Sequence, residues 1–214
     1  MASPSGQESG PPLSDPAPSL PGRTLPLVPV DHRAGTWYRS HSCRFTRSLH
    51  FNRKPILRFN APGREYGVLY LAEEPHGAFI ERFGDSRNAD GEIEIDERDL
   101  AQTCLARFTL TRVLRAITVT GTALDTIGAD SRLWSAENYA LCRRWSLAIC
   151  SHPDQPDGIL YPSRHNNETR NLALFDRASD AVEEHLLGSI RAAHNAAIEA
   201  TILSTYTVNF VGVP

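Results

Sequence analysis

Apolar and polar positions alternate or cluster along this chain in a way that marks out short strands and a few helices. Trp37-Tyr38-Arg39 reads as a first strand. Val68 to Ala72 is a short apolar run between Gly67 and Glu74-Pro75, which suits a buried strand. Pro75 cannot donate to a ladder and fits a first helical turn, so Ala78, Phe79 and Glu81 fall on a helix. Glu92 to Ile95 alternates, as a strand or its approach would, and Cys104 to Leu110 and Val113 to Val119 are rich in apolar and β-branched residues, predicting two more strands. Gly121 and Gly128 punctuate a short turn or helix. Ser135 caps a predicted helix that runs to about Cys150, with Leu141, Trp145, Ala148 and Ile149 on one face. Prolines 153 and 156 end it. Gly158 to Tyr161 is a strand stopping at Pro162-Ser163, Asn171 to Phe175 another, Ala192 to Ser204 a helix and Tyr206 to Val211 a last strand. Residues 179 to 190 fit neither period cleanly. Strands and helices mix without a regular β-α-β alternation, which predicts an α+β fold in a single domain.

The first thirty residues break the pattern. They carry eight of the fifteen prolines, with Ser and Gly between them, and bury too little to offset the entropy of ordering. A disordered tail is expected over residues 1–35, with the folded domain over 36–214. The tail lacks a basic stretch followed by an apolar one, so it does not read as a secretory signal.

Composition adds exclusions. At 214 residues, 41% hydrophobic and 22% charged, the chain is an ordinary globular one with material for a sizeable core. A net charge of −3 argues against general nucleic-acid binding, and no apolar run is long enough to span a bilayer. The four cysteines form no C-x-x-C pair, so reduced thiols in a cytoplasm are expected rather than a disulfide framework or a zinc site. Charge is unevenly spread. Between Arg33 and Arg64 stand eight basic residues and no acidic one; from Glu65 to Asp99 stand eleven acidic against three basic. Such a run is either a solvated face or a site for an anion such as phosphate. Walker-type and Rossmann glycine fingerprints, H-E-x-x-H, Cys/His clusters and Gly-x-Ser-x-Gly are all absent, so no metal is expected.

The remaining informative residues occur as an ordered set. Trp37-Tyr38-Arg39, Arg58-Phe59-Asn60 with Gly63, Leu69-Tyr70-Leu71-Ala72, the Ala78 to Glu81 segment, Asp157 to Arg164 and Leu174-Phe175-Asp176 together resemble the RES domain family, named for an arginine, a glutamate and a serine. The resemblance spans roughly residues 36 to 211. It implies a fold similar to that of ADP-ribosyltransferase toxins, with mixed sheets and flanking helices. It also implies an enzyme that consumes nicotinamide adenine dinucleotide (NAD) by phosphorolysis or hydrolysis, acting as a cytoplasmic toxin of a toxin–antitoxin pair. An antitoxin partner and inorganic phosphate as co-substrate follow from the same resemblance. Two rival readings stay open: an ADP-ribosyltransferase with a protein or small-molecule acceptor, and a catalytically silent nucleotide- or partner-binding module. Two departures stand out: Leu57 where a glycine is frequent, and the proline-rich N-terminus.

By the same resemblance, the functional arginine maps to Arg39 or Arg58, the tyrosine to Tyr70, the glutamate to Glu81 and the serine to Ser163. These residue types suit the chemistry. NAD loses nicotinamide through an oxocarbenium-like transition state, which a fixed carboxylate, here Glu81, can stabilise. Guanidinium forks from Arg39 and Arg58 match pyrophosphate oxygens. Tyr70 could stack on nicotinamide, and Ser163 could hydrogen-bond ribose or phosphate. His165, two residues after Ser163, is expected on an exposed loop.

Overall fold

The structure, a computed structural model, describes residues 14–31 and 35–212. Its strands are β1 (Leu27–Val30), β2 (Trp37–Ser42), β3 (Val68–Ala72), β4 (Ile93–Asp96), β5 (Thr103–Leu110), β6 (Leu114–Thr118), β7 (Gly158–Pro162), β8 (Arg170–Phe175), β9 (Val182–Ser189) and β10 (Val208–Val211). The helices are α1 (Pro75–Phe83), α2 (Glu97–Ala101), α3 (Thr122–Ile127), α4 (Arg132–Ser135), α5 (Tyr139–Cys150) and α6 (Ala196–Thr205). Eight strands form one mixed sheet in the order β1-β6-β7-β8-β3-β2-β5-β9, and β4 pairs with β10 in a second, two-stranded parallel sheet. The α+β expectation holds. Only β6 and β7 run parallel in the large sheet, joined through α3, α4 and α5.

The central strands explain the apolar runs. Both faces of the sheet are covered, so β7 is buried along its whole length. Side chains alternate between two cores. Val68, Ile159, Tyr161, Ala173 and Phe175 face the α5 side, with Trp145 and Ile149. Leu69, Leu71, Leu160, Leu172 and Leu174 face the opposite core, with Trp37 and Phe108. A third cluster packs α1 and α6 over the small sheet through Phe79, Ile80, Ile93 and Ile202. Gly158 is where β7 meets β8 most tightly: a Cβ there would lie 2.5 Å from the Ala173 carbonyl oxygen. Asp157 before it takes a two-pronged hydrogen bond from Arg112 at 3.0 and 2.8 Å and another from the Arg115 amide at 2.8 Å. The Asp157-Gly158 pair is therefore a device for seating β7.

Three expectations need correction. Residues 14–31 are not a loose tail. Leu20 and Leu25 are buried, β1 pairs antiparallel with β6, the Trp145 indole donates to the Ser14 carbonyl at 2.8 Å, and Arg144 pairs with Asp15. Proline is tolerated here because β1 is an edge strand, with one side free of ladder hydrogen bonds. The remainder of the predicted tail, residues 1–13 and 32–34, lies outside the described residues. Secondly, Cys43 and Cys104 form a disulfide, with Cα atoms 4.9 Å apart. The β2–β5 register sets His41 against Cys104 and Ser42 against Thr103, which brings two cysteines 61 residues apart in sequence side by side. Cys142 and Cys150 are free and buried, as core packing suggests. Thirdly, the long helix begins at Tyr139, capped by the Asn138 side chain on the Ala140 amide; Ser135 instead ends α4. The ambiguous residues 182–189 form the edge strand β9. No helix among the described residues is long and apolar enough to cross a membrane.

Candidate active site

A cavity of about 290 Å³ opens where β2, β3, β7 and β8 meet α1 and the start of α5. That size is near the lower end for a small-molecule site, roughly 300–1,000 Å³. Four of the five expected residues line it: Arg39, Arg58, Tyr70 and Glu81.

Arg39 stands on β2, and its Nη1 donates to the Tyr70 carbonyl at 3.3 Å. Burial pushes its pKa down, against the raising influence of Tyr70 and Glu184. It makes no ion pair among the described residues, so a half-buried cation faces the cavity and can meet an anion there. Arg58 is 7% exposed and otherwise employed. Its Nη1 donates to the Ala136 carbonyl at 2.6 Å, and its guanidinium lies 4.5 Å from the centre of the Tyr139 ring. It thereby pins the α4–α5 junction, which brings Trp134 and Tyr139 to the cavity wall. Of the basic run, Arg53 pairs with Asp176 and Arg47 with Glu184, while Arg39 and Arg58 are the members that reach the cavity among the described residues. Leu57, at the position where a glycine is frequent, also lines the cavity, and its carbonyl accepts from Arg143 Nε at 3.1 Å.

Tyr70 has a different task at its tip from the one its ring suggests. The hydroxyl accepts from the Phe59 amide at 2.8 Å and donates to Asn60 Oδ1 at 2.9 Å, while burial raises its pKa and keeps it protonated. Tyr70 therefore clamps the loop that presents Arg58, and its ring still borders the cavity. Glu81 projects from α1, whose neighbouring Ile80 and Phe83 are buried. Its Oε1 accepts from Asn171 Nδ2 at 2.9 Å, which fixes the carboxylate against the β8 wall.

Ser163 is not at the wall. It is fully buried, and its Oγ accepts from the amides of His165 at 3.1 Å and Asn166 at 3.4 Å. Its amide donates to the Thr169 carbonyl at 3.0 Å. The serine shapes the turn between β7 and β8, and the side chains that this turn delivers to the cavity are Arg164 and His165. His165 is not on an exposed loop: its side chain is 15% exposed and lies against Gly84, where a Cβ would approach the ring to 2.4 Å. Arg164 pairs with Asp85 and donates from Nε to His165 Nε2 at 3.2 Å. Burial pushes the His165 pKa down; Glu81 and Asp85 act upward and Arg164 downward. Arg164 and His165 directly follow the serine motif, and that adjacency was the signal available in the sequence.

Tyr161 and Asn171 complete the wall beside Glu81, and neither stands out in the sequence because both sit in apolar strands. Among the described residues, no group of three or more His, Cys, Asp or Glu could hold a metal ion. The arrangement sets two carboxylates, Glu81 oriented by Asn171 and Asp85 paired with Arg164, among four cavity-lining guanidiniums: Arg39, Arg58, Arg82 and Arg164. Such a site can hold an anionic ligand and stabilise positive charge developing at one point within it.

Comparison with known proteins gives the family and the fold. The RES domain model matches residues 36–194. A stretch of 43 residues is 51% identical to the probable toxin y4kH of Sinorhizobium fredii (strain NBRC 101917 / NGR234). That match covers 20% of this chain and a third, 33%, of the length of that relative. The fold is similar to a chain in the crystal structure of the M. tuberculosis MbcT–MbcA toxin–antitoxin complex, with a TM-score of 0.56 at 16% identity, covering 79% of this chain and 89% of that one. The RES domain match covers well over half of the chain, and this chain belongs to the RES domain family.

Proposed function

We propose that this protein is a toxin enzyme that consumes NAD by cleaving the bond between nicotinamide and ribose, with phosphate or water as the acceptor. One observation carries the reading: Glu81, held by Asn171 and in no ion pair among the described residues, is a carboxylate of a cavity that four arginines line, whereas Asp85 is taken up by Arg164. A dinucleotide supplies the matching chemistry, with a pyrophosphate for the guanidiniums and a glycosidic carbon whose positive charge grows as the bond breaks. The C1′–N bond breaks with its electron pair passing to the nicotinamide ring, which leaves neutral. Glu81 stabilises the oxocarbenium-like sugar. An oxygen of phosphate or water then bonds to C1′, and a water acceptor releases its proton to solvent. Arg39 is the foremost pyrophosphate ligand, because it lines the cavity and makes no ion pair among the described residues; Arg58 shapes the wall and adds to the positive field. Ser163 acts on substrate only through the turn it holds.

NAD as substrate favours a reaction in the cytoplasm, and the toxin–antitoxin complex among the similar structures supports a protein antitoxin as partner. Incubation with NAD followed by chromatography tests the reading. Free nicotinamide with ADP-ribose is expected in phosphate-free buffer, and ADP-ribose 1″-phosphate is expected to replace ADP-ribose as phosphate is titrated at constant ionic strength, with matched sulfate as control. A product distribution indifferent to phosphate would leave hydrolysis alone, and label found on a macromolecule would make the enzyme a transferase.

A further inference from the structure

Tyr161 on β7 and Asn171 on β8 are directly opposed in the antiparallel register, so their side chains share the face of the sheet that borders the cavity. Both are buried, at 5% and 1% exposure. The Tyr161 ring is fixed edge-on to Phe59 with centroids 4.9 Å apart, yet its hydroxyl has no hydrogen-bond partner among the described residues. Asn171 donates from Nδ2 to Glu81 Oε1 at 2.9 Å. A carboxylate only accepts, so it fixes which way the amide faces and leaves Oδ1 as a buried acceptor without a partner. A buried polar group without a partner costs about 1–3 kcal/mol. A buried amide oxygen without a partner, beside a phenol that lines the cavity and next to the Glu81 carboxylate, calls for a ligand that completes them. Burial holds the Tyr161 hydroxyl protonated, so it can donate as well as accept.

We infer that Tyr161 and Asn171 form the subsite for the two vicinal hydroxyls of the ribose whose C1′ faces Glu81. This assignment rests on the NAD reading above and deepens it. A hydroxyl both gives and takes a hydrogen bond, which matches a phenol beside an amide carbonyl. Asn171 has a second effect: by holding Glu81 it aligns the carboxylate with the carbon at which charge develops. Neither task falls to Ser163, whose hydroxyl is already occupied by two backbone amides.

The test is a substrate–protein cycle. The wild type, Tyr161→Phe and Asn171→Leu are assayed for kcat/KM on NAD and on the analogues lacking the 2′- or 3′-hydroxyl of the nicotinamide ribose. Tyr161→Phe removes one oxygen and keeps the ring contact, so circular dichroism should match the wild type. The wild type is expected to lose about tenfold on at least one analogue, and Tyr161→Phe about tenfold on NAD but little more on that analogue, because both changes delete the same bond. Asn171→Leu should show the same non-additivity together with a loss of kcat. Folded variants whose losses are equal on NAD and on both analogues would overturn the inference while leaving NAD cleavage intact, as would a wild type indifferent to both hydroxyls. A wild type that neither binds nor cleaves NAD would overturn the reading of the site and this inference with it.

Discussion

The cavity has two walls, and they were built from differently coloured sequence. On the wall formed by β2, β3 and α1, the functional side chains interrupt apolar runs with charge: Arg39 after Trp37-Tyr38, and Glu81 between Ile80 and Phe83. A charged residue in such a place is visible as an exception. On the wall formed by β7 and β8, the groups nearest Glu81 are Tyr161 and Asn171, which pass for ordinary strand residues. There the conspicuous motif residue is Ser163, and it is buried behind the surface it organises. A motif thus marks what must be kept, which includes the residue that shapes a turn as well as the residue that meets substrate. Both walls depend on partners distant in sequence: Asn171 holds Glu81 from 90 residues away, and Arg58 is held through Ala136.

The largest expected effect tests how far the frame behind the walls extends. Deleting residues 1–30 removes β1 and strips buried Leu20 and Leu25 from the α5 core. Two fully buried leucines correspond to about 1.5–3 kcal/mol each, so a loss of roughly 3–6 kcal/mol is expected, read as a drop in Tm or in denaturant midpoint. An unchanged midpoint would mean that the N-terminal strand only rests on the domain.

Next come the walls themselves. Glu81→Gln is nearly isosteric and should leave a folded protein that turns over NAD about 10²–10³-fold more slowly. Ser163→Ala should behave unlike it. Losing the acceptor for two backbone amides should cost about 1–2 kcal/mol of stability and reduce turnover through the displaced turn, with KM for NAD little changed. If Ser163→Ala instead raised KM at full stability, the serine would belong on the wall and the contrast between the two walls would fail. The two arginines divide in the same way. Arg39→Ala should weaken NAD binding at nearly constant Tm, whereas Arg58→Ala should lower Tm as well, because it releases the α4–α5 junction.

Much of this was legible because the large sheet is buried on both faces. Val68–Ala72 and Gly158–Tyr161 stand as uninterrupted apolar runs between breakers, and the structure places strands there. The parts that were not legible have local causes. β9 is an edge strand whose sequence, Val-Glu-Glu-His-Leu-Leu-Gly-Ser, alternates poorly because one side meets solvent and a bulge shifts its register against β5. β1 was hidden by proline, which an edge strand tolerates. Ser135 and Asn138 are both good caps, and only the turn at Ala136 decides that the long helix starts at the second. The disulfide depends on strand pairing alone, since 61 residues separate its halves. Its reduction should lower stability by about 2–4 kcal/mol on the loop-entropy account, measurable as a Tm shift with and without reductant.

The smallest expected effect concerns the turn that Ser163 holds. Arg164 Nε donates to His165 Nε2, which assigns the neutral imidazole its proton at Nδ1. A second proton would have to sit at Nε2, against that donor, and burial opposes the charge as well. The folded-state pKa is therefore below the ordinary value near 6.5. The sign follows: in the window just below pH 6.5 the unfolded chain binds the proton more readily, so acid favours unfolding, and this contribution to stability is regained as pH rises. Glu81 and Asp85 pull the other way and keep the effect small. Between pH 7.5 and 5.5 the wild type should lose at most about 2 °C more in Tm than His165→Gln, which keeps an acceptor for Arg164 but does not titrate. On the other wall Arg39 stays charged throughout, and the lowered pKa of His41 on β2 acts alike in wild type and His165→Gln, so the comparison cancels it. Parallel pH profiles for wild type and His165→Gln would show that the turn is held by Ser163 and the Arg164–Asp85 pair without help from the imidazole.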